Sequence, residues 1–244
     1  MSLHFRRVCL LWIFGAAILS PPFTCAQEKN ASVNDAVVAA PRDGNWLKRH
    51  ETFNDRVKKG NVDLIFIGDS ITQGWEGAGK KVWDEFYAKR NAVNLGIGGD
   101  RTQHVLWRLD HGNIDGISPK LAVLMIGTNN SGTNTSAQIA EGVKMIVEKL
   151  QAKLPKTKIL ILAIFPRGAD GSNKNRQVNE GANALIAKLA DDKSVYYLDI
   201  GPHFLATDGT LSKDVMPDLL HLNEKSYRTW AESIEPKLKE LLRE

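Results

Sequence analysis

Five short runs of branched aliphatic residues, separated by segments of helical periodicity, constrain the fold of this chain more than any other feature. The runs lie at 62–67, 92–95, 121–126, 158–164 and 195–200. Apolar residues recur at helical spacing over 46–59, 81–89, 102–109, 136–154 and 175–189. A last amphipathic stretch covers 224–242, with Pro236 placed to bend it. Strands that are apolar along their whole length need cover on both faces, and a parallel sheet held between two helical layers provides it. The expected fold is therefore α/β, with three layers around a central, mainly five-stranded parallel sheet. No repeat or second domain is visible, and 244 residues suit one such domain.

In open sheets of this type, ligands bind beyond the carboxyl ends of the strands. Three suggestive clusters stand there: Gly68-Asp69-Ser70, Gly96-Ile97-Gly98-Gly99-Asp100 and Gly127-Thr128-Asn129-Asn130. Ser70 follows a buried run at a tight turn. There a hydroxyl is presented at the strand end, and the serine's own amide is available to a developing oxyanion. The plainer reading of the same residues is a helix N-cap. A serine nucleophile needs a base, and the base needs an orienting carboxylate. Asp218-Leu219-Leu220-His221 offers both from one short turn, although taken alone it could be a surface pair ahead of the last helix. Gly99 lets its amide approach a substrate oxygen, and Asn129 carries a side-chain donor. Each feature has a commonplace explanation; their co-occurrence at strand ends favours a serine esterase.

The N-terminus reads as an export leader. Arg6-Arg7 precede an apolar run at 8–19, Pro21-Pro22 break it, and Thr24-Cys25-Ala26 supply small residues before a polar segment. That run is shorter than the ~20 residues needed to span a bilayer, so a stable membrane anchor is not expected. The reading gives a signal peptide over 1–26, cleaved near Ala26, a flexible linker over 27–45, and a catalytic domain over 46–244 in a periplasmic or extracellular protein. The formal charge of +4 falls towards neutrality once Arg6 and Arg7 are removed, which argues against nucleic acid as a partner. Both cysteines, Cys9 and Cys25, lie in the leader, so no disulfide, thiolate nucleophile or cysteine metal site is expected after cleavage. His50, His104, His111 and His203 lack metal-ligand spacing, and neither a metal nor any other cofactor is expected.

Taken together, these blocks resemble the SGNH (GDSL) hydrolases, which draw serine, glycine, asparagine and histidine from four separate segments. Here they are Ser70 in Phe66-Ile67-Gly68-Asp69-Ser70, Gly99 in Asn94-Leu95-Gly96-Ile97-Gly98-Gly99-Asp100, Asn129 in Gly127-Thr128-Asn129-Asn130, and His221 in Asp218-Leu219-Leu220-His221-Leu222-Asn223. Within that family, Gly98-Gly99-Asp100 followed by His104-Val105-Leu106-Trp107-Arg108-Leu109, and Pro166-Arg167-Gly168, resemble the catalytic subunits of intracellular platelet-activating factor acetylhydrolase. The resemblance runs from Trp46 to the C-terminus. It implies a flavodoxin-like fold and metal-free ester hydrolysis. Ser70, Asp218 and His221 would form the triad, and Ser70, Gly99 and Asn129 the oxyanion hole. Apolar neighbours of the nucleophile and the base shorten the acyl pocket in similar enzymes. Ile71 and Leu220 hold those places here, with His104 as further pocket lining, unless they simply pack into the core.

The export leader departs from an intracellular group and favours short-chain, chiefly acetyl, esters of saccharides or other small alcohols. A homodimer is compatible with this reading. Two alternatives keep the fold or site: a non-catalytic glycan-binding protein, and a lysophospholipase or platelet-activating-factor-type acetylhydrolase. A third alternative, nucleotide binding through the G-x-x-x-x-G-K outline at 74–80, lacks the following Ser/Thr because Lys81 stands there.

Overall fold

The computed structural model of the protein describes residues Asn34–Glu244, which form one compact unit. The expected signal peptide, its cleavage near Ala26, and both cysteines lie outside the described residues.

Five strands form a single parallel sheet in the order β2-β1-β3-β4-β5. They are β1 (Leu64–Gly68), β2 (Ala92–Gly96), β3 (Leu121–Met125), β4 (Lys158–Leu162) and β5 (Val195–Leu198). β1 pairs with β2 from Leu64↔Ala92 to Gly68↔Gly96, and with β3 from Leu64↔Leu121 to Gly68↔Met125. The helices are α1 (Asn45–Lys58), α2 (Ser70–Gln73), α3 (Lys80–Phe86), α4 (Thr102–Asp110), α5 (Ser136–Lys153), α6 (Lys174–Ile186) and α7 (Glu224–Leu242). This is the three-layer flavodoxin-like α/β fold expected from the sequence. The strand order reverses direction between β1 and β3, which creates a crevice at their carboxyl ends.

Side-chain alternation along the strands divides the core in two. Ile65 and Ile67 of β1, Leu124 of β3 and Ile161 of β4 pack with α1, α4, α5 and α6. Leu64, Phe66, Val123 and Leu160 face the opposite layer, where Ile71, Trp75, Val82, Tyr227 and Trp230 lie. β1 and β3 are buried at every position, which explains their unbroken apolar sequence. The α7 span continues through Pro236. The phosphate-loop outline at 74–81 is a packed turn: Trp75 is buried, and a Cβ at Gly79 would come within 3 Å of the Trp75 and Tyr227 rings.

The expected flexible linker requires correction over its second half. Asn34 caps a short 3-10 turn, Asp35–Val37, and donates to Glu141 on α5. Ala36 is fully buried, and its carbonyl accepts a bond from Thr102 Oγ1 at 2.7 Å. Arg42 Nη1 donates to Gly98 O at 2.8 Å. Order here comes from single long-range anchors rather than a repeating apolar face, so no periodic signal announces it.

Candidate active site

Ser70 is the first residue of α2, two positions after the end of β1, and sits half-buried at the switch-point crevice. Gly68 is required just before it, because a Cβ there would overlap Thr72 Oγ1 and the Met125 carbonyl on β3. Asp69 caps α2 by accepting the Ile71 amide on Oδ1 at 2.9 Å. The expected N-cap thus exists, but Asp69 supplies it, which leaves the Ser70 hydroxyl available.

Ser70 Oγ lies 2.8 Å from His221 Nε2, and His221 Nδ1 lies 2.6 Å from Asp218 Oδ2. A carboxylate can only accept, so Nδ1 carries the ring proton, and Nε2 is left as acceptor for the serine hydroxyl. The other Asp218 oxygen, Oδ1, accepts the backbone amides of Leu220 (3.1 Å) and His221 (2.7 Å). This turn sets the carboxylate's orientation. Between the two residues, Leu219 adopts φ +60°, a left-handed conformation that is unfavourable for a bulky side chain. Its amide donates to Met216 O and its carbonyl accepts from Gly168, which hold it there. Burial pushes the Asp218 carboxyl up, but the bonds and charge of His221 outweigh that and keep it below the usual carboxylate range.

The second and third clusters meet beside this pair. Gly98 donates to Gln73 Oε1 at 2.7 Å, and a Cβ on Gly98 would lie 3.8 Å from Ser70 Cβ. Gly99 has φ +75°, which only glycine adopts without strain. Asn129 Nδ2 donates to the Asp100 carbonyl at 2.9 Å, joining the loop after β3 to the loop after β2. One of its two amide hydrogens is used in that way.

The three expected pocket residues fare differently. Ile71 is 1% exposed and belongs to the core, so it does not line an open acyl pocket. Leu220 is half-buried. His104 caps α4: its Nδ1 accepts the Arg101 amide at 3.0 Å. Burial, with the Arg42, Arg101 and Arg108 charges, drives His104 down to about 4, so it is neutral and serves as an acceptor at the start of α4.

Several residues at this edge stood in the sequence only inside the resembling motifs, with no role attached to them. Arg167 Nη1 donates to Thr128 O and Oγ1, bracing the loop that carries Asn129. Beneath Gly99, the fully buried Asp100 faces the fully buried Arg108, with Nε and Oδ2 separated by 2.9 Å. These two atoms are close but not aligned as a hydrogen bond, so charge rather than direction holds them. Arg108 also donates to Leu95 O and Asn113 Oδ1, and Trp46 Nε1 donates to Asp100 Oδ1.

Asp69 is wholly buried and its Oδ2 has no partner among the described residues. Burial first, and the neighbouring Asp100 charge, push its carboxyl up to about 7 against the Ile71 amide bond and the His221 charge. An unfolded aspartate releases its proton near 3.8, whereas folded Asp69 keeps it to about 7. The folded state binds more protons across that window, so Asp69 lowers stability progressively from about pH 4 to about pH 7. Asp69→Asn keeps the cap oxygen without the charge. Its urea midpoint should therefore gain on wild type as pH rises through this window; a constant difference would show that Asp69 does not titrate there.

Comparison with known proteins agrees with this layout. Residues 66–229 match the GDSL-like Lipase/Acylhydrolase family model. The chain is 38% identical over 204 residues to human platelet-activating factor acetylhydrolase IB subunit alpha1, covering 82% of this chain and 86% of that protein. It is 35% identical over 215 residues to the chicken alpha2 subunit, covering 88% and 92%. Among solved structures, a GDSL-like lipase from Bacteroides thetaiotaomicron shares the fold with a TM-score of 0.64 at 20% identity, covering 79% of this chain and 97% of that one. An acetyl xylan esterase shares it with a TM-score of 0.61 at 24% identity, covering 72% and 100%. With the family model spanning the strand of Ser70 through the start of α7, this chain is a carboxylic ester hydrolase and belongs to the GDSL-like lipase/acylhydrolase family.

Proposed function

We propose that the protein is an exported serine esterase that removes short acyl groups, acetyl foremost, from saccharides or other small alcohols. The contact of Ser70 Oγ with His221 Nε2, backed by Asp218, carries this reading. His221 takes the Ser70 proton as Oγ attacks the ester carbonyl. The amides of Ser70 and Gly99 and the unused N–H of Asn129 receive the oxyanion. His221 then protonates the departing alkoxide, leaving an acyl-serine. Water, deprotonated by the same ring, attacks that ester, and the carboxylic acid leaves as Ser70 regains its proton. No step requires a metal.

Acetyl preference is supported by the curated relatives, which are acetylhydrolases by name, and by half-buried Leu220 next to the base. Export rests on the leader pattern at 1–26. No helix among the described residues is long and apolar enough to cross a membrane. The second reading, a platelet-activating-factor-type acetylhydrolase, is favoured by the 38% identity to the alpha1 subunit.

Hydrolysis of 4-nitrophenyl acetate, butyrate and octanoate, with acetate release from acetylxylan and from an acetylated ether phospholipid, tests both. The expected order is acetate over octanoate and acetylxylan over phospholipid, with Ser70→Ala reduced to background. Full activity in Ser70→Ala would end the serine mechanism. A preference for octanoate would end the short-acyl reading, and one for phospholipid would favour the second.

A further inference from the structure

Arg42 comes from the N-terminal segment and lies directly over the Gly99 loop. Its Nη1 and Nη2 are 3.2 and 3.3 Å from where a Gly99 Cβ would stand. Nη1 is anchored by Gly98 O at 2.8 Å and Asp100 Oδ1 at 3.3 Å. Nε and Nη2 have no hydrogen-bond partner among the described residues, and the side chain is 37% exposed. The unused edge is thus the side-on Nε/Nη2 fork, whose two parallel donors match the two oxygens of a carboxylate or phosphate.

Charge at this loop is unbalanced. The single Asp100 carboxylate serves both Arg42 and the buried Arg108. Arg101 follows directly and reaches an acidic group only at Asp35, 4.0 Å away. His104 is neutral, which leaves the loop with net positive charge. Arg167, held on Thr128, adds a further guanidinium that feels the charges of Asp69 and Asp218.

We infer that Arg42 is a specificity residue that binds an anionic group, carboxylate or phosphate, carried by the substrate close to its scissile ester. This rests on the esterase reading and deepens it: the substrate class becomes acyl esters of anionic small molecules, such as acid-bearing saccharides. Its chain position explains the ordered N-terminal segment, which brings this guanidinium to the site. Anchoring through Nη1 fixes the fork before substrate arrives, so little side-chain entropy is lost on binding.

The test compares three acetyl esters on the whole protein: 3-acetoxybenzoate, 3-acetoxyphenyl phosphate, and the neutral methyl 3-acetoxybenzoate. The readout is the ratio of kcat/KM, anionic over neutral, in wild type, Arg42→Gln and Arg42→Lys. Dividing variant by wild type cancels the intrinsic reactivity of each ester. Arg42→Gln should lower the ratio about tenfold, while Arg42→Lys retains about a third of it because charge survives without the fork. The wild-type ratio should also fall between 20 and 500 mM salt, on the order of severalfold. The two anionic arms separate carboxylate from phosphate recognition. An equal loss on all three esters in Arg42→Gln would mean that Arg42 only braces the loop, and would overturn the inference. Binding of the non-hydrolysable 3-acetamidobenzoate and its methyl ester, followed by calorimetry, separates the two readings. Retained anion preference without hydrolysis would sink the esterase reading alone, while hydrolysis without anion preference would sink only this inference.

Discussion

Replacing His221 with alanine is expected to lower kcat for 4-nitrophenyl acetate by about five orders of magnitude. Asp218→Asn should lower it by about three to four orders, and the double variant no further than His221→Ala alone. The second figure follows from the turn geometry. Asp218 Oδ1 is committed to the Leu220 and His221 amides, so an asparagine would keep its oxygen there. Its NH2 would then occupy the Oδ2 position, 2.6 Å from Nδ1, and donate to that nitrogen. Nδ1 would have to be bare and Nε2 protonated, so that the ring presents a proton to the Ser70 hydroxyl instead of a lone pair. The imidazole stays in place and is the wrong tautomer. Losses that multiply in the double variant, or an Asp218→Asn enzyme within tenfold of wild type, would show that Asp218 does not set this tautomer. Steady-state release of nitrophenolate at fixed pH measures all three.

The parts of this molecule that were legible in its sequence share a physical cause. Leu64 to Ile67 and Leu121 to Met125 are buried on both faces, so the need for cover leaves no polar residue in them, and the strand ends follow. Ser70, Gly99 and Asn129 could be picked out because each stands just beyond such an end, and His221 because Asp218 precedes it by three residues ahead of α7. What was not legible depends on contacts across long sequence distances. Arg42 touches a loop 56 residues away, and Ala36 is buried because a carbonyl meets Thr102, 66 residues on. Nothing in 34–45 repeats, so no periodicity could have marked it as ordered. Ile71 is a position at which the sequence left two readings open. Its place beside the nucleophile suggested pocket lining, yet α2 turns it into the layer of Trp75 and Tyr227. Leu219 is similar: a leucine reads as apolar filling, and only the backbone shows that it carries the left-handed turn between acid and base.

Arg108→Met is expected to destabilise the protein by about 3–5 kcal/mol, the range for removing one member of a buried ion pair. Burial lowers the pKa of Arg108 and raises that of Asp100, each against the pull of its partner, so desolvation is the larger influence on both groups. Once Arg108 is gone, Asp100 loses its nearest full charge and keeps only Trp46 Nε1 and the longer Arg42 contact. The carbonyl of Leu95 and the Asn113 amide oxygen lose donors as well. Adding Asp100→Asn removes the stranded charge, and the double variant should recover on the order of half the loss. The pair also bears on the proposed chemistry, because the Asp100 carbonyl accepts from Asn129 Nδ2 and Asp100 directly follows Gly99. Under the proposed mechanism, in which the Gly99 amide and Asn129 receive the oxyanion, kcat should fall with little change in KM wherever Arg108→Met remains folded. Urea denaturation and steady-state kinetics on the single and double variants separate the two effects. A double variant no more stable than Arg108→Met would show that the hydrogen bonds of Arg108, and not its charge, account for the loss.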